Sequence, residues 1–142
     1  MIEYALAASL AILAPDDDRA DAAARATRAA ADTPARWERY EDCVADRESG
    51  NSPTARNSQS TAAGKYQFLD SQWRDGLAFM VANRLKQFGM PKPDAKRIRI
   101  TLQDTHIARW PAIYQQIGFN EVVTQGGAHH WRLPGSRCET YR

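Results

Sequence analysis

Cysteine is scarce in this 142-residue chain. There are two, Cys43 and Cys138, and they form no CxxC pair, so the usual spacing of a structural zinc site is missing. Histidine is limited to His106, His129 and His130. The adjacent pair does not share a helix face and no HExxH occurs, which leaves metal-dependent hydrolysis without its ligands. A cysteine–histidine nucleophile pair from Cys43 and His130 would place the thiol on a helix face well away from Glu48. No P-loop and no Rossmann glycine pattern is present, so no nucleotide cofactor is expected, and no other cofactor or metal is called for. No apolar run approaches the ~20 residues that cross a bilayer. Strand-like alternation and internal repeats are also lacking, which points to a mostly α domain without stable membrane insertion.

What is present fits one globular unit: 43% hydrophobic and 25% charged residues, enough for a single core. Charge is uneven. Residues 1–32 carry three arginines against six acids, whereas residues 33–142 carry 16 Lys+Arg against 11 Asp+Glu. That surplus suits an anionic polymer, cell wall or nucleic acid. The basic run 84–109 has no interleaved aromatics of the kind that stack on bases, so nucleic acid is not the expected partner. Residues 4–14, "YALAASLAILA", have the length of a signal-peptide core. The preceding "MIE" lacks a basic residue and Pro15 follows, so an ordinary helix is the alternative reading. Residues 16–35 are Ala-rich and lack large apolar side chains, which reads as a solvated helix or linker, with the compact domain beginning near Thr33.

Thr33-Pro34 resembles a helix start, and Gly50 suits the left-handed position that ends that helix. Residues 49–64 read as a polar loop. A second helix starts at Asp70 or Ser71, with Trp73, Leu77, Met80, Val81, Leu85 and Phe88 on one side, and stops at Gly89 and Pro91. Asp94 can cap a third helix carrying Ile98 and Leu102. Pro111 opens another, which Gly118 is expected to end.

One carboxylate stands apart. At about 100° per residue, Glu48 falls about 20° from Trp37 on the stripe that also holds Tyr40 and Val44. Asp42 and Asp46 fall on the opposite face. Partial burial disfavours the charged form of an acid, and so does the negative end of the helix dipole at its C-terminus. A carboxyl that keeps its proton near neutral pH can donate it to a leaving oxygen, as glycosidic cleavage requires. The bland alternative is an acid that pairs with Arg47 or Arg56 and closes the helix. The two cysteines are open in the same way: in an oxidising compartment Cys43 and Cys138 can pair and tie the chain end to this helix, and otherwise they are buried thiols.

Three segments in order, Glu48-Ser49-Gly50-Asn51, then Gly64-Lys65-Tyr66-Gln67-Phe68, then Trp73, resemble the catalytic region of the lysozyme-like superfamily. The likeness is to its lytic transglycosylase and resuscitation-promoting-factor branch of actinobacteria and their phages, and it covers residues 37–73. It implies a small, mostly α, goose-type lysozyme/transglycosylase domain at residues 33–142, with residues 1–32 as an extension. It implies that Glu48 is general acid and then base at the β-1,4 bond between N-acetylmuramic acid and N-acetylglucosamine, closing a 1,6-anhydro ring without a second carboxylate. Gln67, Tyr66, Asn57 and Ser60 become candidate substrate contacts, with Trp131 as a wall of the groove; the alternatives are a turn residue for Gln67, a core aromatic for Tyr66, solvated loop for Asn57 and Ser60, and packing near Cys138 for Trp131. Asp70 and Asp75 are better read as an N-cap and a surface charge. The resemblance also implies a Cys43–Cys138 bridge, although the family often has Cys directly before the Glu, where Arg47 stands here. The implied partners are peptidoglycan strands, with phage tail or cell-wall proteins beside them. The implied location is extracytoplasmic or within a phage virion. A wall-binding or virion structural module without activity is the alternative.

Overall fold

The computed structural model describes the backbone of residues 2–142 and the side chains of residues 17–142. Its regular elements are α1 (Ile2–Ala31), α2 (Glu38–Ser49), β1 (Ala62–Ala63), β2 (Phe68–Leu69), α3 (Asp70–Gln87), α4 (Lys92–Gln103) and α5 (Ala112–Thr124). Short 3-10 turns lie at Ala35–Trp37, Ile107–Arg109, Gly127–Trp131 and Arg137–Tyr141. The mostly α architecture expected from the sequence is the one that forms.

The core is built around α5, which does not end at Gly118 but continues to Thr124. Gly118 is there for packing: a Cβ at this position would sit 3.0 Å from Leu77 Cδ1 on α3. Its absence lets the two helices approach closely. Ile117, Phe119, Val122 and Val123 are buried against Leu77, Val81 and Leu85, each contributing about 1.5–3 kcal/mol of apolar burial. Trp73 and Met80 are partly buried beside them. Phe88 leaves the expected stripe, at 43% exposure. It occupies the C-cap with ψ 12°, so it no longer follows helical periodicity, and the Arg84 guanidinium lies over its ring.

The Ala-rich stretch is helical, and its described part is not a linker. Ala26 and Ala30 are fully buried in the same core. Small side chains let α1 come close to its neighbours, so large apolar residues are not needed. Its last carbonyls, unpaired within the helix, accept from other elements: Ala30 O from Arg84 Nε (2.9 Å) and Asn120 Nδ2 (3.1 Å), and Ala31 O from Asn120 Nδ2 (3.1 Å). Arg19 reaches Asp94 on α4 (2.8 Å). The 4–14 segment lies outside the residues whose side chains are described. Among the described residues no helix is long and apolar enough to cross a membrane.

Three expected caps are used otherwise. Thr33 Oγ1 donates to Asn120 (2.9 Å) instead of starting a helix, Asp94 lies in the first turn of α4 and binds Arg19 and Arg97, and Asp70 turns away from its own helix end. In each case a tertiary partner outcompetes the local backbone N–H.

Candidate functional site

α2 ends where Gly50 takes a left-handed conformation (φ 62°), as expected, and this places Glu48 in the last helical turn. Ser49 joins that turn to the second motif, because its hydroxyl donates to Lys65 O (2.7 Å) and accepts from Ser52 N (3.1 Å). The second motif is the connection between β1 and β2, which pair antiparallel with Ala63 opposite Phe68. Gly64 (φ 79°) and Gln67 (φ 54°) both lie in the left-handed region. For glycine this carries no steric penalty. For Gln67 it is a strained conformation of the kind that persists only where the surroundings impose it.

Gln115 of α5 helps impose it. Its side chain is fully buried. Oε1 accepts from Lys65 N (2.7 Å), and Nε2 lies within 2.9–3.1 Å of the carbonyls of Pro53, Ile107 and Trp110. One amide thus clamps the polar loop, the β1–β2 connection and the turn before α5. Sequence reading missed Gln115, although a glutamine beside "PAIY" on an apolar helix is a signal for such a clamp.

Glu48, Gln67, Phe68, Leu69, Trp73, His130 and Trp131 line one cleft of about 150 Å³. That is below the ~300–1,000 Å³ of sites that engulf a drug-sized ligand, and it suits one unit of a chain lying across the surface. Larger recesses exist, among them one of about 390 Å³ beside the disulfide, but Glu48 does not line it. Trp131 is fixed by its indole N–H, which donates to Tyr66 O (2.9 Å), and by packing on Phe68 and Phe119. His130 meets Trp73 edge-on, with centroids 4.6 Å apart. Burial and the neighbouring His129 both hold its imidazole below the ordinary range, so His130 is neutral at pH 7. His130 was not expected in the site; its place next to Trp131 is the signal that could have found it.

Glu48 is not the dry, lone acid of the catalytic reading; it makes the arginine pair of the alternative one. Its side chain is 29% exposed and paired with Arg47. Arg47 Nε (3.1 Å) and Nη2 (2.7 Å) both donate to Glu48 Oε1. The guanidinium is itself anchored by Trp131 O (2.7 Å) and Ser136 Oγ (3.0 Å). Burial of Tyr40 and Val44 confirms the face assigned to α2, yet the last turn emerges at the rim of the cleft, where Arg47 can reach it. Oε2 accepts no hydrogen bond from the described residues and remains open to a ligand.

The other candidate contacts separate. Tyr66 does not stack on a ligand, because it is fully buried. Its hydroxyl donates to Glu41 Oε1 (2.5 Å) and lies 2.7 Å from Gln116 Oε1. Burial, and then the bond to Glu41, push this phenol far above its ordinary value. Glu41 is a buried acid that sequence reading overlooked. It falls on the same stripe as Glu48, about two helical turns earlier, and Lys65 Nζ neutralises it at 3.2 Å.

Asn57 and Ser60 do not line the Glu48 cleft. They border a separate recess of about 220 Å³ with Arg56, Thr61, Ala62, Asp70 and His106. Their oxygens accept from the backbone N–H groups of Gln59 and Ala62, so both close local turns. Asp70 is buried there, bonded to Arg74 and to Ile107 N (2.8 Å). Cys43 and Cys138 are joined, with Cα atoms 5.4 Å apart, so the bridge expected from the resemblance is present and Cys43 has no thiol for nucleophilic chemistry. It ties the turn Arg137–Tyr141 to α2. Family models, curated proteins and solved structures yield no match to this chain.

Proposed function

We propose that the protein cleaves the β-1,4 bond between N-acetylmuramic acid and N-acetylglucosamine in peptidoglycan, as a lytic transglycosylase of lysozyme-like fold with Glu48 as its acid and base. The observation that carries this reading is the convergence of Glu48, the strained Gln67 and Trp131 on one cleft. The three come from separate parts of the sequence, and two belong to the motifs that suggested the activity.

A glycan strand lies across the cleft against Trp73 and Trp131. Gln67 Nε2 is committed to Gly64 O (3.0 Å), which turns its acceptor oxygen toward N-acetyl N–H and hydroxyl donors of the sugar. Glu48 Oε2 delivers a proton to the glycosidic oxygen and, as the carboxylate, takes one from the 6-hydroxyl of the muramyl unit while that oxygen closes on C1. The proton count balances, and no water is consumed. Glu48 is the one carboxylate lining the cleft among the described residues. A hydrolytic nucleophile would need a second, and Asp70 is held by Arg74 in the other recess. Arg47 stabilises the carboxylate formed after proton donation, and it keeps Trp131 O and Ser136 as partners while Glu48 is protonated.

Purified peptidoglycan incubated with the wild type yields anhydro-muropeptides by mass, and Glu48→Gln yields none while still binding the wall. Reducing-end products would replace transglycosylation by hydrolysis. The Arg47–Glu48 pair favours one second reading, a wall-binding module without activity. Wild-type protein that pellets with the wall and releases nothing selects it.

A further inference from the structure

On the surface formed by α3 and α4, sharing no lining residue with the Glu48 cleft, lies a groove of about 280 Å³ lined by Phe79, Ala82, Asn83, Lys86, Lys92, Ala95, Lys96 and Arg99. Ala82 and Ala95 are buried, and their small side chains let the groove exist between the helices. Four of the lining residues are cations and none is an acid. Lys86, Lys92, Lys96 and Arg99 form no ion pair with the described residues, whereas the adjacent Arg97 is taken by Asp94. Lys92, Lys96 and Arg99 recur at i, i+4 and i+7, so they share one face of α4 and repel one another. Helical rise separates Lys92 from Lys96 by about 6 Å and from Arg99 by about 10.5 Å.

We infer that this groove binds a phosphodiester-linked polyanion without bases, of the polyol-phosphate type attached to cell walls. A row of unpaired cations along a groove matches a flexible chain of regularly spaced phosphates. Bases are disfavoured because one face of the aromatic that could stack them is already occupied: the Arg99 guanidinium lies 4.4 Å from the Phe79 ring centroid. The ring, 49% exposed, then offers its edge to the aliphatic parts of a polyol. The choice of a wall polymer rests on the function proposed above; the presence of an anion groove does not.

The test is equilibrium binding of end-labelled poly(glycerol phosphate) to the full chain, with an oligothymidylate of equal charge as comparator. Lys92→Gln/Lys96→Gln weakens polymer binding at least about tenfold and flattens the salt dependence by roughly 0.7 per lost contact. Lys86→Gln weakens it less, and both variants keep the wild-type urea midpoint. Glu48→Gln leaves polymer binding unchanged, so loss of glycan cleavage and loss of the groove are read separately. No wild-type binding, or equal binding by the double variant, overturns the inference. Oligothymidylate binding as tightly as the polymer, with the same loss in the double variant, overturns the assigned class in favour of nucleic acid.

Discussion

Gly64→Ala tests whether the clamp by Gln115 sets the β1–β2 connection. Two separable penalties arise. Alanine at φ 79° pays about 1–2 kcal/mol for a left-handed conformation. In addition, the new Cβ lies 2.5 Å from Gln115 Oε1 and 3.0 Å from its Cδ. The amide must move, breaking the bond from Lys65 N and loosening those to Pro53, Ile107 and Trp110, for about 1–3 kcal/mol. The single variant should lose about 3 kcal/mol, a large part of the ~5–15 kcal/mol of a typical domain.

The second penalty exists only while Gln115 is present. Gln115→Ala alone should lose about 3 kcal/mol, because it leaves buried partners unsatisfied. Gly64→Ala added to it should lose only about 1.5 kcal/mol more, giving about 1.5 kcal/mol of coupling. Urea unfolding followed by the fluorescence of the four tryptophans reads all four corners of the cycle, with unchanged m-values as the condition for comparing them. Additivity within about 0.5 kcal/mol would refute the clamp and leave only the backbone conformation to explain Gly64.

The bridge spans 95 residues, so reducing it, or Cys138→Ser, should remove up to about 4.7 kcal/mol in the chain-entropy account and lower Tm by about 10 °C. A calorimetric change under 2 °C, against that expectation, would mean the chain end is held by other contacts. Burial pushes the Asp70 carboxyl up, but hydrogen bonds from Arg74 and Ile107 N–H, with the nearby His106 and Arg74 charges, bring it below its ordinary value. Its folded-state value is therefore the lower one. Its stabilisation is present above about pH 4 and is lost as pH falls below that toward the folded-state value. The stability gap between the wild type and Asp70→Asn should narrow from pH 6 to pH 3 in urea titrations; a constant gap contradicts the pairing.

Local chemistry was legible in the sequence wherever a residue acts on its own neighbours. Gly50 ends α2 because a glycine enters the left-handed region (φ 62°) without a Cβ penalty, and Leu77, Val81 and Leu85 reveal the buried face of α3 by spacing. Where a residue answers to a distant element, the sequence misled. Gly118 looks like a stop because a glycine's fit against Leu77 on another helix leaves no local trace. Ala26 and Ala30 look solvated because small side chains identify a close helix contact only once the partner is known. The site divides in the same way. Glu48 and Gln67 were found from their motifs, and Trp131 from the same resemblance as a groove wall. The sequence left Tyr66 open between ligand and core, and its acceptor Glu41, 25 residues away, decides for the core; Asn57 and Ser60 stayed open because loop sequence does not say which recess a loop borders.

Cys43 and Arg47 hold the C-terminal segment against α2 by two different chemistries. In the family this segment resembles, the bridging cysteine often stands directly before the glutamate. In this chain the bridge is made by Cys43, one turn before Arg47. Residues i and i+4 share a helix face, so both still look toward the C-terminal segment. Cys43 holds it covalently at Cys138, and Arg47 holds it through Trp131 O and Ser136 Oγ. Together they strap the C-terminal segment across α2, and Arg47 also places a cation on Glu48 Oε1, which a half-cystine cannot supply. If the strap serves to fix Trp131 and Glu48 relative to each other, Arg47→Lys should impair the site more than charge alone predicts. An ammonium cannot span the carboxylate, the carbonyl and the hydroxyl at once in the planar fork that a guanidinium provides. Glycan release should fall in that variant with little loss of wall binding, while Arg47→Lys activity equal to wild type would reduce Arg47 to a mere counter-charge.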